Sequence, residues 1–193
     1  MPFSAPSFDQ RSFQKLSVSG QDLRRKEFNA CRFEHCDFNA CDFSHSVFVD
    51  CLFQACSFAS AKFDHARFQG AAFEDCKLVG VALAKANPFL LRWSFERCKL
   101  QFCNFSGLKL AHGRFRGSSL HDCDFGEVDL KEADFTGTDL RGSRFHHAVL
   151  EKADFREAHS YLIDPTANRL KGAKFSSPDV LGLLAGFGVN VDF

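Results

Sequence analysis

Large hydrophobic residues recur at every fifth position over most of this chain. Ten phenylalanines keep that spacing without interruption from Phe28 to Phe73. Two residues before most of them stands a small residue, such as Cys31, Ser46 or Ala61, and the remaining three positions are mostly polar. An internal repeat of this kind sets the architecture before local propensities do.

A period of five fits neither a helix nor a flat strand. On an α-helix, five residues turn through about 140°, so the rings would spiral around the whole surface. On a strand, an odd step puts successive side chains on opposite faces. The positions i−2 and i do fit two inward sites of a short extended segment. Each unit therefore predicts a short wall followed by a corner, and the walls must wind into a coil.

The second half of the chain indicates how many walls make one turn. From Phe95 to Phe155 the central residue alternates between phenylalanine and leucine. Phenylalanine stacks on phenylalanine, and leucine on leucine, only if each turn holds an even number of walls. Two walls would leave no interior, and six would leave a hole. Cys36, Cys56 and Cys76 are also spaced twenty residues apart. We therefore predict an all-β coil with four walls and twenty residues per turn.

Several units resemble a known repeat family. Ala133-Asp134-Phe135-Thr136-Gly137 and Ala153-Asp154-Phe155-Arg156-Glu157 are similar to the pentapeptide-repeat unit, in which alanine and an acid or amide precede a central Leu or Phe. The likeness covers roughly residues 23–175. It implies a right-handed, four-sided parallel β-helix, a pentapeptide-repeat solenoid, and we expect a short C-terminal helix to cap it.

The frame divides the chain into five segments of one solenoid domain. Residues 1–22 are an N-terminal cap or a frayed first coil, and residues 23–83 are the N-terminal coils. Residues 84–94 hold a frame-shifting bulge or loop. Residues 95–175 are the C-terminal coils, with a break at 160–169, and residues 176–193 form a capping and dimerisation helix and strand.

The frame shift adds two residues between Leu83 and Phe95. Asn87-Pro88 favours a turn there, and Leu90 already stands at a central position of the later frame. Two interpretations remain open. The segment is either a partner-contacting loop, or a bulge whose aromatic residues fold back onto the coil. The candidate partner-binding residues are Phe89, Leu90, Leu91, Arg92 and Trp93.

The C-terminal segment predicts a helix that covers the open end of the coil. Ser177 stands as N-cap, Pro178 at the first position and an acid in the first turn, and Gly186 or Gly188 is the stop. Val189, Val191 and Phe193 alternate like a last strand. Some relatives dimerise through this end, and we expect a homodimer. The candidate dimerisation residues are Leu181, Leu184, Phe187, Val189 and Val191.

Cysteine usage and charge bear on the protein's compartment and on the partners that it can bind. All nine cysteines fall at the i−2 position, where a metal or redox ladder and a buried apolar filler are both conceivable. An odd thiol number without a signal peptide predicts a cytoplasmic protein. Because the net charge is zero, we expect neither membrane binding nor direct nucleic-acid binding. Residues 84–118 are mainly basic, however, and residues 121–140 mainly acidic.

No phosphate loop, zinc-type spacing or nucleophile elbow is present, so we expect neither catalysis nor a cofactor. The mid-coil interruption, Ile163-Asp164-Pro165 and Phe175-Ser176-Ser177-Pro178 resemble quinolone-resistance (Qnr-class) and gyrase-toxin immunity proteins. That resemblance implies binding to a type II topoisomerase, chiefly DNA gyrase. It also implies protection from a drug or peptide toxin, by displacing it or by acting as a DNA mimic. Neutral charge favours docking through the loop over charge mimicry. The alternative is a rod-like interaction scaffold.

Overall fold

Four short walls make each turn of this chain, and the turns stack into a parallel β-solenoid of about eight turns. The structure is a computed structural model, and it describes residues 2–189. The expected fold class is confirmed, including a short helix near the C-terminus. Each wall contributes one short strand or a single bridge, because a corner follows after only a few extended residues.

The strands are two to four residues long. In chain order they are β1 (Ser7–Asp9), β2 (Ser12–Gln14), β3 (Glu27–Asn29), β4 (Arg32–Glu34), β5 (Val47–Val49), β6 (Leu52–Gln54), β7 (Arg67–Gln69), β8 (Ala71–Glu74), β9 (Lys77–Val79), β10 (Trp93–Glu96), β11 (Lys99–Gln101), β12 (Ser119–His121), β13 (Arg144–Phe145), β14 (Asp154–Phe155), β15 (Leu162–Ile163) and β16 (Lys174–Phe175). Two 3₁₀ helices span Leu83–Lys85 and Asp179–Phe187.

Neighbouring turns pair in register. The first face carries β1, β3, β5 and β7, and the second carries β2, β4, β6, β8 and β10. Phe28 pairs with Phe48 and Phe33 with Phe53, each twenty residues along the chain. The predicted turn of four walls is therefore confirmed. The third face carries β9, β11 and β12, and the fourth is held mostly by single bridges such as Asp22–Asp42.

Stacked aromatic rings fill the interior. Phe33, Phe53 and Phe73 lie in one column, with ring centroids 4.7 and 4.9 Å apart and planes within 12° of parallel. In the second half, Phe115 and Phe135 stack at 4.7 Å while leucine pairs with leucine on the next wall, as at Leu100–Leu120. Rings on adjacent walls meet edge to face, which suits their quadrupoles. The alternation of phenylalanine and leucine along the chain thus puts each residue type in its own column of the core.

The N-terminal residues join the coil in the same register. Within residues 1–22, which were expected to be a cap or a frayed coil, β1 and β2 pair with β3 and β4. Phe3 is buried and lies against several columns at once, with its ring 5.7 Å from Phe8 and 5.0 Å from Phe13. It thereby covers the rings at the open end of the first turn.

Small polar side chains at the i−2 position tie successive turns together. The Ser143 hydroxyl donates to the Leu120 carbonyl at 2.6 Å and accepts the Cys123 N–H at 3.0 Å. Cysteine makes comparable contacts: the Cys36 thiol donates to the Phe13 carbonyl at 3.5 Å. The Cys56 sulfur accepts the Cys36 N–H at 3.4 Å. Cysteine at i−2 is therefore a linker between turns as well as a filler.

We expect Ser143→Ala to lower the free energy of unfolding by about 1–3 kcal/mol, because it leaves a buried N–H and a buried carbonyl unpaired. Ser143→Cys should recover most of that loss, since the Cys123 thiol holds the same position one turn earlier and donates to the Leu100 carbonyl. Chemical denaturation of both variants measures the difference. Equal destabilisation by the two substitutions would contradict the linking role.

The nine thiols are all buried and unpaired by disulfides. Burial raises the pKa of the Cys51 thiol to about 12. We expect the native protein to resist a thiol reagent at neutral pH and to yield nine reactive thiols after unfolding. Because this folded-state pKa is raised, its stabilising contribution is complete below the ordinary thiol pKa of about 8.5 and declines above it. Denaturation measured across alkaline pH tests this.

The repeat is offset by two residues near its C-terminal end. Phe145 pairs with Ile163, eighteen residues on, while Phe155 again pairs with Phe175, twenty residues on. Tyr161 and Ile163 are buried in the offset turn, although Ser160, where the frame calls for a central residue, is exposed. The buried Asn168 amide fills the i−2 position and donates to the Phe145 carbonyl at 3.0 Å.

The closing helix differs in detail from the prediction. It is a 3₁₀ helix, Asp179–Phe187, whose N-cap is Pro178, and no side chain caps it, so the expected Ser177 cap is wrong. Its early N–H groups use backbone acceptors instead: the Leu181 N–H donates to the Pro178 carbonyl at 3.0 Å. It ends at Gly188, in the left-handed conformation, as expected. Val189 is not in a strand, and the remainder of the predicted final strand, Val191 and Phe193, lies outside the described residues.

Candidate partner-binding site

The mid-coil segment splits the five candidate partner-binding residues into two groups. Phe89 and Leu90 project into solvent, with 63% and 56% of their surface exposed, and Arg92 is exposed as well. Leu91 and Trp93 are buried, Trp93 to the extent that only 5% remains exposed. Of the predicted set, Phe89, Leu90 and Arg92 thus stand out into solvent, while Leu91 and Trp93 are largely covered by the coil. Trp93 folds back onto the coil, as the bulge interpretation expects, whereas Phe89 stays outside, and partner contact by the exposed residues stays a prediction.

We call residues 87–93 the bulge, and its tip at Phe89 and Leu90 turns outward for local reasons. The Asn87 side-chain oxygen accepts the Phe89 N–H at 2.9 Å, which closes a tight turn around Pro88. Leu90 follows with a φ of 54°, the left-handed corner conformation that other turns adopt two residues after their central residue. The prediction that Leu90 takes a central position of the later frame is wrong, because the earlier frame continues as far as this corner.

Trp93 fills the interior space that the exposed Pro88 leaves open. It pairs with Ala71 on the second face, a position that smaller residues hold in adjacent turns. Its ring meets Phe68, the last ring of the first-face column, edge to face at 5.3 Å. The enlarged turn thus puts Phe95 directly over Phe73, twenty-two residues later, with the rings stacked at 4.9 Å.

A cleft of about 390 Å³ lies beside the bulge. We call it the bulge cleft. One wall is formed by residues 91–94, with Gly70 and Ala71 next to them, and the opposite wall by residues 110–114. Sequence reasoning missed the second wall, which belongs to the following turn. The signal that could have found it is a proline at a central position, since proline cannot donate to the next turn.

Charges around the bulge cleft are unevenly neutralised. Arg92, His112 and Arg114 line it, and His112 lies 3.5 Å from Glu132. Nearby Arg97 is surrounded by acids, with its Nε 2.9 Å from Asp75, and Arg116 lies 3.0 Å from Asp134. Among residues 2–189, neither Arg92 nor Arg114 takes part in an ion pair. The cleft therefore presents positive charge that the fold itself does not use.

The acidic band over residues 121–140 serves the corners of the coil. Asp124, Asp134 and Asp139 each accept the backbone N–H two residues later, at 2.9–3.1 Å. Burial alone would raise the pKa of Asp139, but hydrogen bonds from His121 and the Arg141 backbone outweigh it and hold that pKa below its ordinary value. These carboxylates are structural, which makes them poor candidates for imitating a phosphate backbone.

The C-terminal candidates lie around the closing helix. Phe187 and Val189 are exposed, while Leu181 and Leu184 are partly buried; Val191 lies outside the described residues. The helix packs closely on the 163–165 break, because a Cβ at Gly186 would stand 2.7 Å from Asp164 Oδ1 and Pro165 Cδ. The structure thus places four of the five predicted dimerisation residues at one end of the rod. Dimerisation through that end stays a prediction.

Two further observations concern the described part of the chain. Among residues 2–189, no group of three or more His, Cys, Asp or Glu side chains is arranged to hold a metal ion. No helix in that range has both the length and the apolar character needed to cross a bilayer.

Comparison with known proteins gives matches to families and structures. A model described as a pentapeptide repeat region matches residues 21–87 and 46–125, and one described as pentapeptide repeats in eight copies matches residues 123–159. No curated protein matches the sequence significantly.

Three solved structures illustrate the likeness. A trypsin-treated form of QnrB1, a plasmid-mediated fluoroquinolone resistance protein, is 16% identical, with a TM-score of 0.82 over 98% of this chain and 100% of its own. A second such form is 17% identical, with a TM-score of 0.68 over 94% and 100%. HetL, a pentapeptide repeat protein involved in heterocyst differentiation regulation in Nostoc sp. strain PCC 7120, is 19% identical, with a TM-score of 0.53 over 89% and 87%. Since the family models span residues 21–159, this chain belongs to the pentapeptide-repeat family.

Proposed function

We propose that this protein is a non-enzymatic partner of a type II topoisomerase, DNA gyrase, and protects it from a quinolone or a peptide-toxin poison. The observation that carries the proposal is the match to QnrB1 over 98% of this chain with a TM-score of 0.82. QnrB1 is a fluoroquinolone resistance protein. The sequence features shared with that class, the interrupted coil and the 163–165 break, support the same assignment.

The physical form of the molecule supports action by contact. The interior of residues 2–189 is filled by stacked rings, so no substrate-sized hollow lies under the walls of that range. About eight turns at about 4.8 Å each give a rod roughly 40 Å long. The exposed Phe89 and Leu90 form an apolar contact at mid-length. In the proposal, this contact docks the rod on the topoisomerase, and the bound rod displaces the poison.

Charge mimicry of DNA receives little support. Duplex DNA carries one negative charge per about 1.7 Å of axis, whereas this chain has a net charge of zero. Several of the acids in its most acidic band, Asp124, Asp134 and Asp139, are also committed to corner hydrogen bonds. We therefore propose docking led by the bulge.

A gyrase supercoiling assay tests the proposal. Purified protein added together with a quinolone, or with a gyrase-directed peptide toxin, should restore supercoiling that the poison alone suppresses. A binding measurement with gyrase accompanies it. If neither rescue nor binding is found with gyrase or another type II topoisomerase, the topoisomerase assignment is wrong.

The second candidate function is a rod-like interaction scaffold with no topoisomerase role. The neutral charge favours it, as does the shared fold of HetL, which is described as acting in cell differentiation. A negative supercoiling assay with an intact rod would select this alternative.

We also propose a cytoplasmic homodimer joined through the C-terminal end. The support is the exposed Phe187 and Val189 beside the partly buried leucines of the closing helix. Such apolar surface at the end of a rod favours a two-fold contact with a second copy. Sedimentation of the purified protein distinguishes dimer from monomer.

A further inference from the structure

The hydrogen-bond ladder of the first face is interrupted next to the bulge cleft. Bridges join Arg67 to Asn87 and, farther along, Lys109 to Asp129. Between them, in the part of the chain that the structure describes, no backbone hydrogen bond connects residues 86–92 with residues 108–113. In the next turn, the Leu110 N–H donates to the Asp129 carbonyl at 2.7 Å. Its counterpart one turn earlier is Pro88, which has no N–H to give.

This interruption leaves ladder groups available. Within residues 2–189, neither the N–H nor the carbonyl of Lys109 has a backbone partner, and Lys109 is exposed. Unpaired groups along the edge of a strand are a template for an added extended segment. Lys109 directly precedes Leu110, which lines the bulge cleft, so main-chain pairing is available next to the cleft.

The side chains of the cleft select the charge of such a segment. Arg92 and Arg114 line it from opposite walls, and neither takes part in an ion pair among the described residues. A guanidinium presents a planar fork that matches a carboxylate. The opposite charges nearby are already engaged, since Asp134 pairs with Arg116 and Asp75 with Arg97. An acidic occupant therefore meets unopposed positive charge.

Trp93 contributes an apolar floor. It lines the cleft together with Leu91 and Leu110. Its indole N–H is buried and has no hydrogen-bond partner among the described residues. Buried donors without partners are uncommon in folded proteins, so the residue that floors the cleft also carries an unsatisfied donor. The volume of about 390 Å³ lies within the range of ligand sites, roughly 300–1,000 Å³.

We propose that the bulge cleft binds an extended acidic segment of a partner protein. A carboxylate of that segment lies between Arg92 and Arg114, and its main chain pairs with the interrupted ladder at Lys109. The inference deepens the proposed function in that it names the chemistry of the partner's contact, but peptide binding can be tested without any topoisomerase.

Trp93 is the only tryptophan of the chain, so its fluorescence reports on the cleft directly. The probe is a blocked hexaglutamate peptide, titrated into the full-length protein at low salt. We expect a saturable change in Trp93 emission that weakens as salt is added. A hexaglutamine peptide is the matched control for charge. Equal binding of both peptides, or no response to hexaglutamate, overturns the proposal.

Variants locate the site. Arg92→Ala with Arg114→Ala should weaken hexaglutamate binding at least about tenfold. The matched control is Arg141→Ala with Arg156→Ala, two exposed arginines outside the cleft, and it should bind like the parent protein. Circular dichroism confirms that all variants fold. Unchanged affinity in the first pair overturns the assignment. Inorganic phosphate is also titrated, and full competition at the same concentration would mean a simple anion site and overturn the peptide assignment.

The two proposals fail separately. If hexaglutamate binds at the cleft and gyrase is not protected, the cleft assignment stands and the topoisomerase assignment falls. If gyrase is protected equally well by the Arg92 and Arg114 double variant and the peptide does not bind, the reverse holds.

Discussion

Phe53→Ala is expected to lower the free energy of unfolding by about 3–5 kcal/mol, the usual effect of truncating a buried aromatic ring. Phe53 is 1% exposed and stacks on Phe33 at 4.7 Å and on Phe73 at 4.9 Å. It also meets Phe48 and Phe58 edge to face. Its removal leaves a gap that neighbouring rings cannot close, because the strands hold them in fixed register.

Chemical denaturation, followed by circular dichroism, measures this loss against a matched phenylalanine. Phe102 is 58% exposed at a corner of the coil, so Phe102→Ala should change stability by no more than about 0.5 kcal/mol. Since small domains are stable by about 5–15 kcal/mol, the first variant loses a large share and the second almost none. Equal effects of the two substitutions would contradict a core built from stacked rings.

The second large effect concerns the proposed partner. Replacing both Phe89 and Leu90 with alanine is expected to weaken binding and protection of the topoisomerase by at least about 30-fold, the equivalent of one interface hot spot of about 2 kcal/mol. The two side chains are the large apolar groups that the bulge exposes. Their removal should leave stability nearly unchanged, because neither contributes to the ring columns.

Supercoiling rescue across a protein titration measures the change, with unfolding curves recorded in parallel. Phe102→Ala is again the control, since it removes an exposed ring elsewhere on the rod and should protect like the parent. If the double variant folds normally and protects equally well, docking through the bulge is wrong, although topoisomerase binding through another face would remain open to the same assay.

The core was within reach of sequence reasoning because it depends on a strictly local rule. A fixed period places every central side chain inside, so the buried set from Phe28 to Phe73 and the turn of twenty residues followed directly. The bulge was harder to predict, because the two inserted residues are compatible with more than one assignment of the repeat positions. Leu90 fits the later frame on paper, but its corner conformation belongs to the earlier one. Trp93 was a contact candidate, and packing instead drew it onto Phe68.

The sequence by itself determined the four-sided coil, its stacked core and the position of its one enlarged turn, because each depends on spacing along the chain. Only the tertiary structure decided which residues of that turn face solvent and which of the arginines remain without an acidic neighbour. Those properties arise between turns, where side chains about twenty residues apart meet. A missing donor at Pro88 becomes a gap in the hydrogen-bond ladder only when the next turn, at Lys109, is placed above it.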